Sequence, residues 1–81
     1  MIIETQEKEE IINFNNVEKI YIQEVILSTK TVYLIKCKTR EEEERLGQYA
    51  TEEKAKQILQ DIISFYIRNE NQNKVYRMPE E

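Results

Sequence analysis

The stretch LGQYATEEKAKQIL, residues 46–59, decides the fold. Its hydrophobic period changes in the middle. Residues 45–49, RLGQY, read as a short last strand with Leu46 facing inward. Gly47 inside such a strand predicts a bulge or the close approach of another backbone. Thr51 then offers a hydroxyl to a free backbone N–H, as an N-cap does. Glu52 and Glu53 follow in the first turn, where negative charge meets the positive end of the helix dipole. Lys54 stands where a capping box would need Glu or Gln, so the box is absent. Beyond it, Ala55, Ile58, Leu59, Ile62, Ile63 and Tyr66 recur at helical spacing and define one apolar face. Lys54, Gln57, Gln60, Asp61 and Ser64 fall outside that face. The segment is therefore a strand-to-helix junction with its capping residues, and the helix is expected over residues 51–68. Arg68 closes it with a cation at the end that favours one.

Working back towards the N-terminus, the chain is rich in strand formers. Residues 2–5 are a short β-prone run, QEKEE is a polar turn, and IINF is a second run, which together predict a hairpin. Asn15 and Asn16 mark the next turn, because Asn tolerates left-handed backbone angles. VEKIYIQEVIL, residues 17–27, carries apolar residues on both faces, as a central, bulged or doubly covered strand does. STK turns the chain, and TVYLIKCK, residues 31–38, returns it. TREEEER, residues 39–45, reads as a solvated turn. Its four adjacent glutamates point alternately to opposite sides, so they do not suit one metal ion. Past the helix, residues 69–73 form a polar loop. Residues 74–78, KVYRM, form a short final strand stopped by Pro79.

These segments predict an α+β fold. A single antiparallel sheet of four to five strands, residues 1–50, carries one amphipathic helix, residues 51–68, packed on a face, with a short final strand at residues 74–78. The 81 residues form a single domain.

Composition narrows the chemistry. The net charge is −4, from 16 acidic and 12 basic residues, which disfavours nonspecific binding of nucleic acid. There is no histidine, which removes Ser-His and Cys-His nucleophile pairs and histidine metal sites. Cys37 is the one cysteine, so it has no disulfide or CxxC partner, and it reads as a small buried residue in a strand. No P-loop, GxGxxG, GxSxG or HExxH frame is present. The expectation is a chain that is not an enzyme, with no cofactor and no metal. No apolar run approaches the roughly 20 residues of a membrane span. The first ten residues carry no basic region followed by an apolar one. A cytoplasmic setting is expected.

Four residues near the C-terminal end suit a ligand. Tyr66 and Tyr76 could stack a base, and Arg68 and Arg77 could hold phosphate. Phe65 lies at the edge of the helix's apolar face and Ile67 nearly opposite its centre. These two are the candidates for an interface between copies of the chain.

LGQYATEEKAKQIL, INFNNVEKIYI before it and VYRMPEE at the end resemble a group of short, functionally uncharacterised proteins of Firmicutes and their phages. That group carries an LGxYxTEExAxxIL junction and a C-terminal YxMPEE. The resemblance covers most of the chain, which departs from it at Gln48 and Arg77. It implies the same order of elements and a phage setting, and no catalytic residues. The expected function is a non-catalytic binding protein that counters host defence by sequestering a nucleotide signal or by blocking a host protein, with its acidic elements mimicking nucleic acid. The alternative is a structural or regulatory homo-oligomer with no small-molecule ligand.

Overall fold

A computed structural model describes residues 1–69 and 74–80. The elements run β1 (Ile2–Glu4), β2 (Ile11–Asn13), a 3-10 turn (Phe14–Asn16), β3 (Val17–Ile26), β4 (Thr31–Thr39), β5 (Glu43–Tyr49), α1 (Glu52–Arg68) and β6 (Val75–Arg77). The α+β class and the C-terminal helix are as the sequence predicts.

The single sheet of four to five strands is not what forms. The strands divide into two sheets of three, in the orders β2-β1-β6 and β3-β4-β5. The break falls at the two asparagines. The Asn13 side chain accepts a hydrogen bond from Asn15 N at 3.0 Å. Residues 14–16 then coil into a 3-10 turn, which carries the chain out of the first sheet before β3 begins. The short final strand enters the first sheet, parallel to β1, with Ile3 opposite Tyr76. The second sheet is antiparallel throughout, with Ile22 opposite Ile35 and Ile35 opposite Gly47.

One core joins the sheets and the helix. Ile3 and Ile12 come from the first sheet and Ile35, Cys37, Leu46 and Tyr49 from the second. Ala55, Ile58 and Ile62 come from α1, and Met1 and Met78 close the ends. The helix starts as predicted: Thr51 Oγ1 accepts from Lys54 N at 3.1 Å. Its buried line is narrower than the six-residue face read from the sequence. Ala55, Ile58 and Ile62 are buried and Phe65 packs on the core, whereas Ile63 and Tyr66 are 41% and 38% exposed. The 3-4-3 spacing of those four residues faces the second sheet, and Ile63 and Tyr66 lie to one side of that line.

Gly47 sits beside a bulge, where β5 carries Leu46 as an extra residue between the pairs Ile35–Gly47 and Lys36–Arg45. The close approach there is by a side chain rather than a second backbone. A Cβ at Gly47 would lie 2.8 Å from Tyr49 Oη and 2.9 Å from its ring.

The two sheets are tied by Gln6. Its backbone N–H donates to Leu46 O at 2.8 Å. Its side-chain oxygen accepts from Gln48 N at 2.8 Å, and its amide nitrogen donates to Gln48 O at 3.1 Å. One side chain thus stands in for a strand along the outer edge of β5. The same nitrogen reaches Pro79 O at 3.1 Å, and the Tyr49 hydroxyl donates to Pro79 O at 2.6 Å, which pins the C-terminal tail across the joint. No helix of the described residues is long and apolar enough to cross a membrane.

Candidate functional site

The four residues singled out for a ligand lie in the last turns of α1 and in β6, and three of them are engaged within the chain. Tyr66 packs on Phe14 with ring centroids 5.1 Å apart, and Tyr76 meets Phe65 edge-on at 5.4 Å. Both rings already have aromatic partners. Tyr76 and Arg77 are neighbours in β6 and point to opposite sides of it. Arg77 Nε lies 3.6 Å from a Glu4 carboxylate oxygen. Arg68 is exposed in the last turn of α1, two residues from Tyr66 and so on another side of the helix. Of the two interface candidates, Phe65 is half-buried against the core and Ile67 is 65% exposed.

The structure assembles a different set of side chains into a groove. An open groove of about 740 Å³ lies where β2, the 3-10 turn and the start of β3 face the turn between β4 and β5. Five carboxylates line it: Glu10, Glu18, Glu41, Glu42 and Glu44. Asn13, Asn15 and Asn16 are also there, and Arg40 is the one cation among the described lining residues. Glu10 and Glu44 also line the adjoining cleft, together with Glu7, Glu9 and Arg45.

Local structure places each acid. The turn after β1 is closed by Thr5, whose N–H donates to Glu10 O at 3.1 Å and whose hydroxyl accepts from Glu10 N at 3.3 Å. That fixes the Glu10 side chain beside the second sheet. Thr39 does the same for Glu42, its N–H and hydroxyl donating to Glu42 O at 2.8 and 3.0 Å. The solvated turn predicted over residues 39–45 is therefore shorter than expected. Glu43 and Glu44 already belong to β5, and Glu44 is half-buried opposite Cys37. A strand directs alternate side chains to opposite faces, which brings Glu44 onto the core side and sends Glu43 outward to bond the Tyr21 hydroxyl.

Glu44, Glu42 and Glu10 meet. Burial pushes the Glu44 carboxyl up to about 7, and its hydrogen bonds and repulsion with Glu42 and Glu10 add to the effect. Near neutral pH this group holds a proton about half the time. Apart from Arg40, two cations near the turn after β1 are engaged with other acids. Arg45 bonds Glu7 at 2.9 Å, and Lys8 lies 3.5 Å from Glu80. The groove is thus a concentration of negative charge with little compensation. No group of three acids or thiols among the described residues is arranged to hold a metal ion. Cys37, beneath Glu44, is fully buried; burial first and the Glu44 charge second push its thiol up to about 11.

The sequence drew attention to the glutamate run but not to this site. Glu10 lies more than 30 residues from Glu44, and the contact depends on how one sheet is set against the other. The available signal was the pair of Thr residues, Thr5 and Thr39, each positioned to close a turn next to an acid.

No protein-family model matches the chain, no curated protein matches it, and no solved structure matches it.

Proposed function

We propose that this chain is a non-catalytic binding protein that occupies a basic surface of a host protein, acting in the host cytoplasm as a small phage-borne antagonist of defence. The observation that carries the reading is the groove at the joint of the two sheets, where five carboxylates face Arg40 and where burial, with Glu42 and Glu10 adding to it, raises Glu44 to about 7. Crowded carboxylates raise the free energy of the unbound protein, and a lysine or arginine from a partner relieves it. Binding of a basic segment is therefore favoured by more than the contact itself.

The groove is open to water. Its Thr39 hydroxyl is occupied by the Glu42 backbone, and no serine, cysteine or histidine is among the described lining residues. A carboxyl near neutrality could serve a general acid, but it has no nucleophile and no enclosure to work with. Sequestration of a nucleotide has less support, because the two tyrosines are partnered and Arg77 is paired with Glu4.

Fluorescence anisotropy with a labelled lysine- and arginine-rich peptide tests the proposal. Binding should weaken steeply as added salt shortens the screening length. It should fall at least tenfold in the double variant Glu42→Gln, Glu44→Gln. A peptide that does not bind at low salt, or binds the variant equally well, removes this reading. Heat on titration with cyclic dinucleotides or ADP-ribose would move the function to nucleotide sequestration.

A further inference from the structure

Residues 17–25 read VEKIYIQEV. Read backwards they give VEQIYIKEV, so the stretch is a palindrome about Tyr21 except where Lys19 exchanges with Gln23. These residues make up most of β3, and β3 is an outer strand. Among the described residues it pairs with β4 and with nothing on its other side. It is the longest strand, at 10 residues, and spans about 34 Å. An edge of that length offers a row of free N–H and C=O groups, a template for another strand. Proteins that keep such an edge single blunt it with proline, bulges or charged side chains, or cover it. β3 has no proline or glycine, its one bulge lies at Glu18 near its start, and its middle, residues 20–22, carries no charge.

We propose that the free edge of β3 docks a second copy of this chain, antiparallel, about a two-fold axis through Tyr21. The two β3-β4-β5 sheets then fuse into one sheet of six strands. The axis stands perpendicular to the sheet, so each residue faces a partner residue on the same side, and both helices cover the same face. Tyr21 meets the partner's Tyr21 at the axis. Ile20 faces the partner's Ile22 and Ile22 the partner's Ile20. These isoleucines are half-buried at the margin of the core, opposite Cys37 and Ile35, and the pairing carries the apolar layer across the axis. On the other face, Lys19 stands opposite the partner's Gln23.

The palindrome also sets Glu18 against the partner's Glu24, which would repel. The structure moderates this. The register against β4 passes from Val17–Thr39 to Lys19–Lys38, so Glu18 is the extra residue of a bulge and is out of line with the regular edge. Glu24 accepts a hydrogen bond from the Tyr33 hydroxyl at 3.3 Å within its own chain. What favours a second copy is the complementarity that the axis at Tyr21 produces: from residue 19 to residue 23 apolar and aromatic side chains meet their like, and no two like charges stand opposite each other. The proposal uses the middle of the strand and stands independently of the acidic groove.

Sedimentation velocity on the full chain, with three variants, tests it. Wild-type protein should form two-chain species whose association strengthens with added salt, because the remaining acid pairs are screened. Gln23→Lys places lysine opposite the partner's Lys19 twice per dimer and should weaken association at least tenfold, with circular dichroism unchanged. Tyr21→Cys should form an intermolecular disulfide on mild oxidation, because the two introduced thiols face each other at the axis. Ile26→Cys, on the same strand but far from the axis, should not. The buried Cys37 leaves the readout clean. A single-chain species at every attainable concentration overturns the proposal. A two-chain species that is indifferent to Gln23→Lys and does not cross-link at residue 21 also overturns it, and would place the interface elsewhere, such as the exposed Ile67 side of α1.

Discussion

Replacing Glu44 by Gln should stabilise the protein, by an amount that grows as pH rises from about 4.5 to about 7 and is full above that. The Glu44 carboxyl is raised from an ordinary 4.5 to about 7, by burial and by Glu42 and Glu10. Below about pH 4.5 it is protonated in the folded and unfolded chains alike and contributes no difference. Between there and about pH 7 the unfolded chain releases the proton while the folded chain keeps it. The folded state then binds more protons, so stability falls as pH rises, and above pH 7 the whole penalty is present. Taken in full, the displacement corresponds to roughly 3 kcal/mol. Glu44 is partly solvated and its charge is screened, which reduces the expected penalty to about 1–2 kcal/mol. Glutamine keeps the shape and can still donate to Glu42 or Glu10, so Glu44→Gln recovers that amount at pH 8 and almost none at pH 4. The slope of urea unfolding for a chain of this size is about 1 kcal/mol/M, so the midpoint at pH 8 should rise by about 1–2 M. Unfolding followed by circular dichroism at both pH values measures the difference, with wild type as the control for every other titrating group. Equal midpoints at pH 8, or a variant less stable than wild type there, would show that the three carboxyls do not crowd one another.

Gln6→Ala removes the side chain that bridges β5 and the C-terminal tail; about 2–3 kcal/mol should be lost, with faster hydrogen exchange at the Gln48 amide. Gly47→Ala puts a methyl group within 2.9 Å of the Tyr49 ring, and displacing that ring should cost about 1–3 kcal/mol in a thermal melt. Cys37, fully buried and with its thiol raised to about 11, should resist thiol reagents in the native protein and react freely in urea.

Local chemistry was legible in the sequence and long-range assembly was not. Thr51, Glu52 and Arg68 located both ends of α1 because capping and dipole effects act within one turn. Leu46 and Cys37 were placed inside because alternation along a strand is a period-two signal. The division into two sheets was hidden because Asn15 and Asn16 suit a hairpin turn as well as a 3-10 turn, and only the second redirects the chain. The parallel pairing of β6 with β1 joins the two ends of the chain, and three residues of strand carry no signal of direction. The acidic groove was missed for the same reason. Its members come from two segments far apart in sequence, residues 10–18 and 39–44, and what brings them together is the joint made by Gln6, a residue that reads as part of a polar turn.

The two proposals, on independent grounds, make a joint prediction about geometry. Val17 and Glu18 line the groove at the start of β3, and the proposed axis passes through Tyr21, four residues further on. With about 3.4 Å per residue, each groove lies about 14 Å from the axis along the strand, so two chains present grooves about 27 Å apart. A probe carrying two basic segments on a linker long enough to span that distance should bind the wild-type assembly with an avidity at least a hundredfold above either segment alone. The Gln23→Lys variant should lose the avidity and keep the single-segment affinity, since residue 23 is not part of the groove. If Gln23→Lys weakens the single segment equally, the groove and the edge are not separate surfaces. If the two-segment probe gains nothing on wild type, the axis is not where the palindrome puts it.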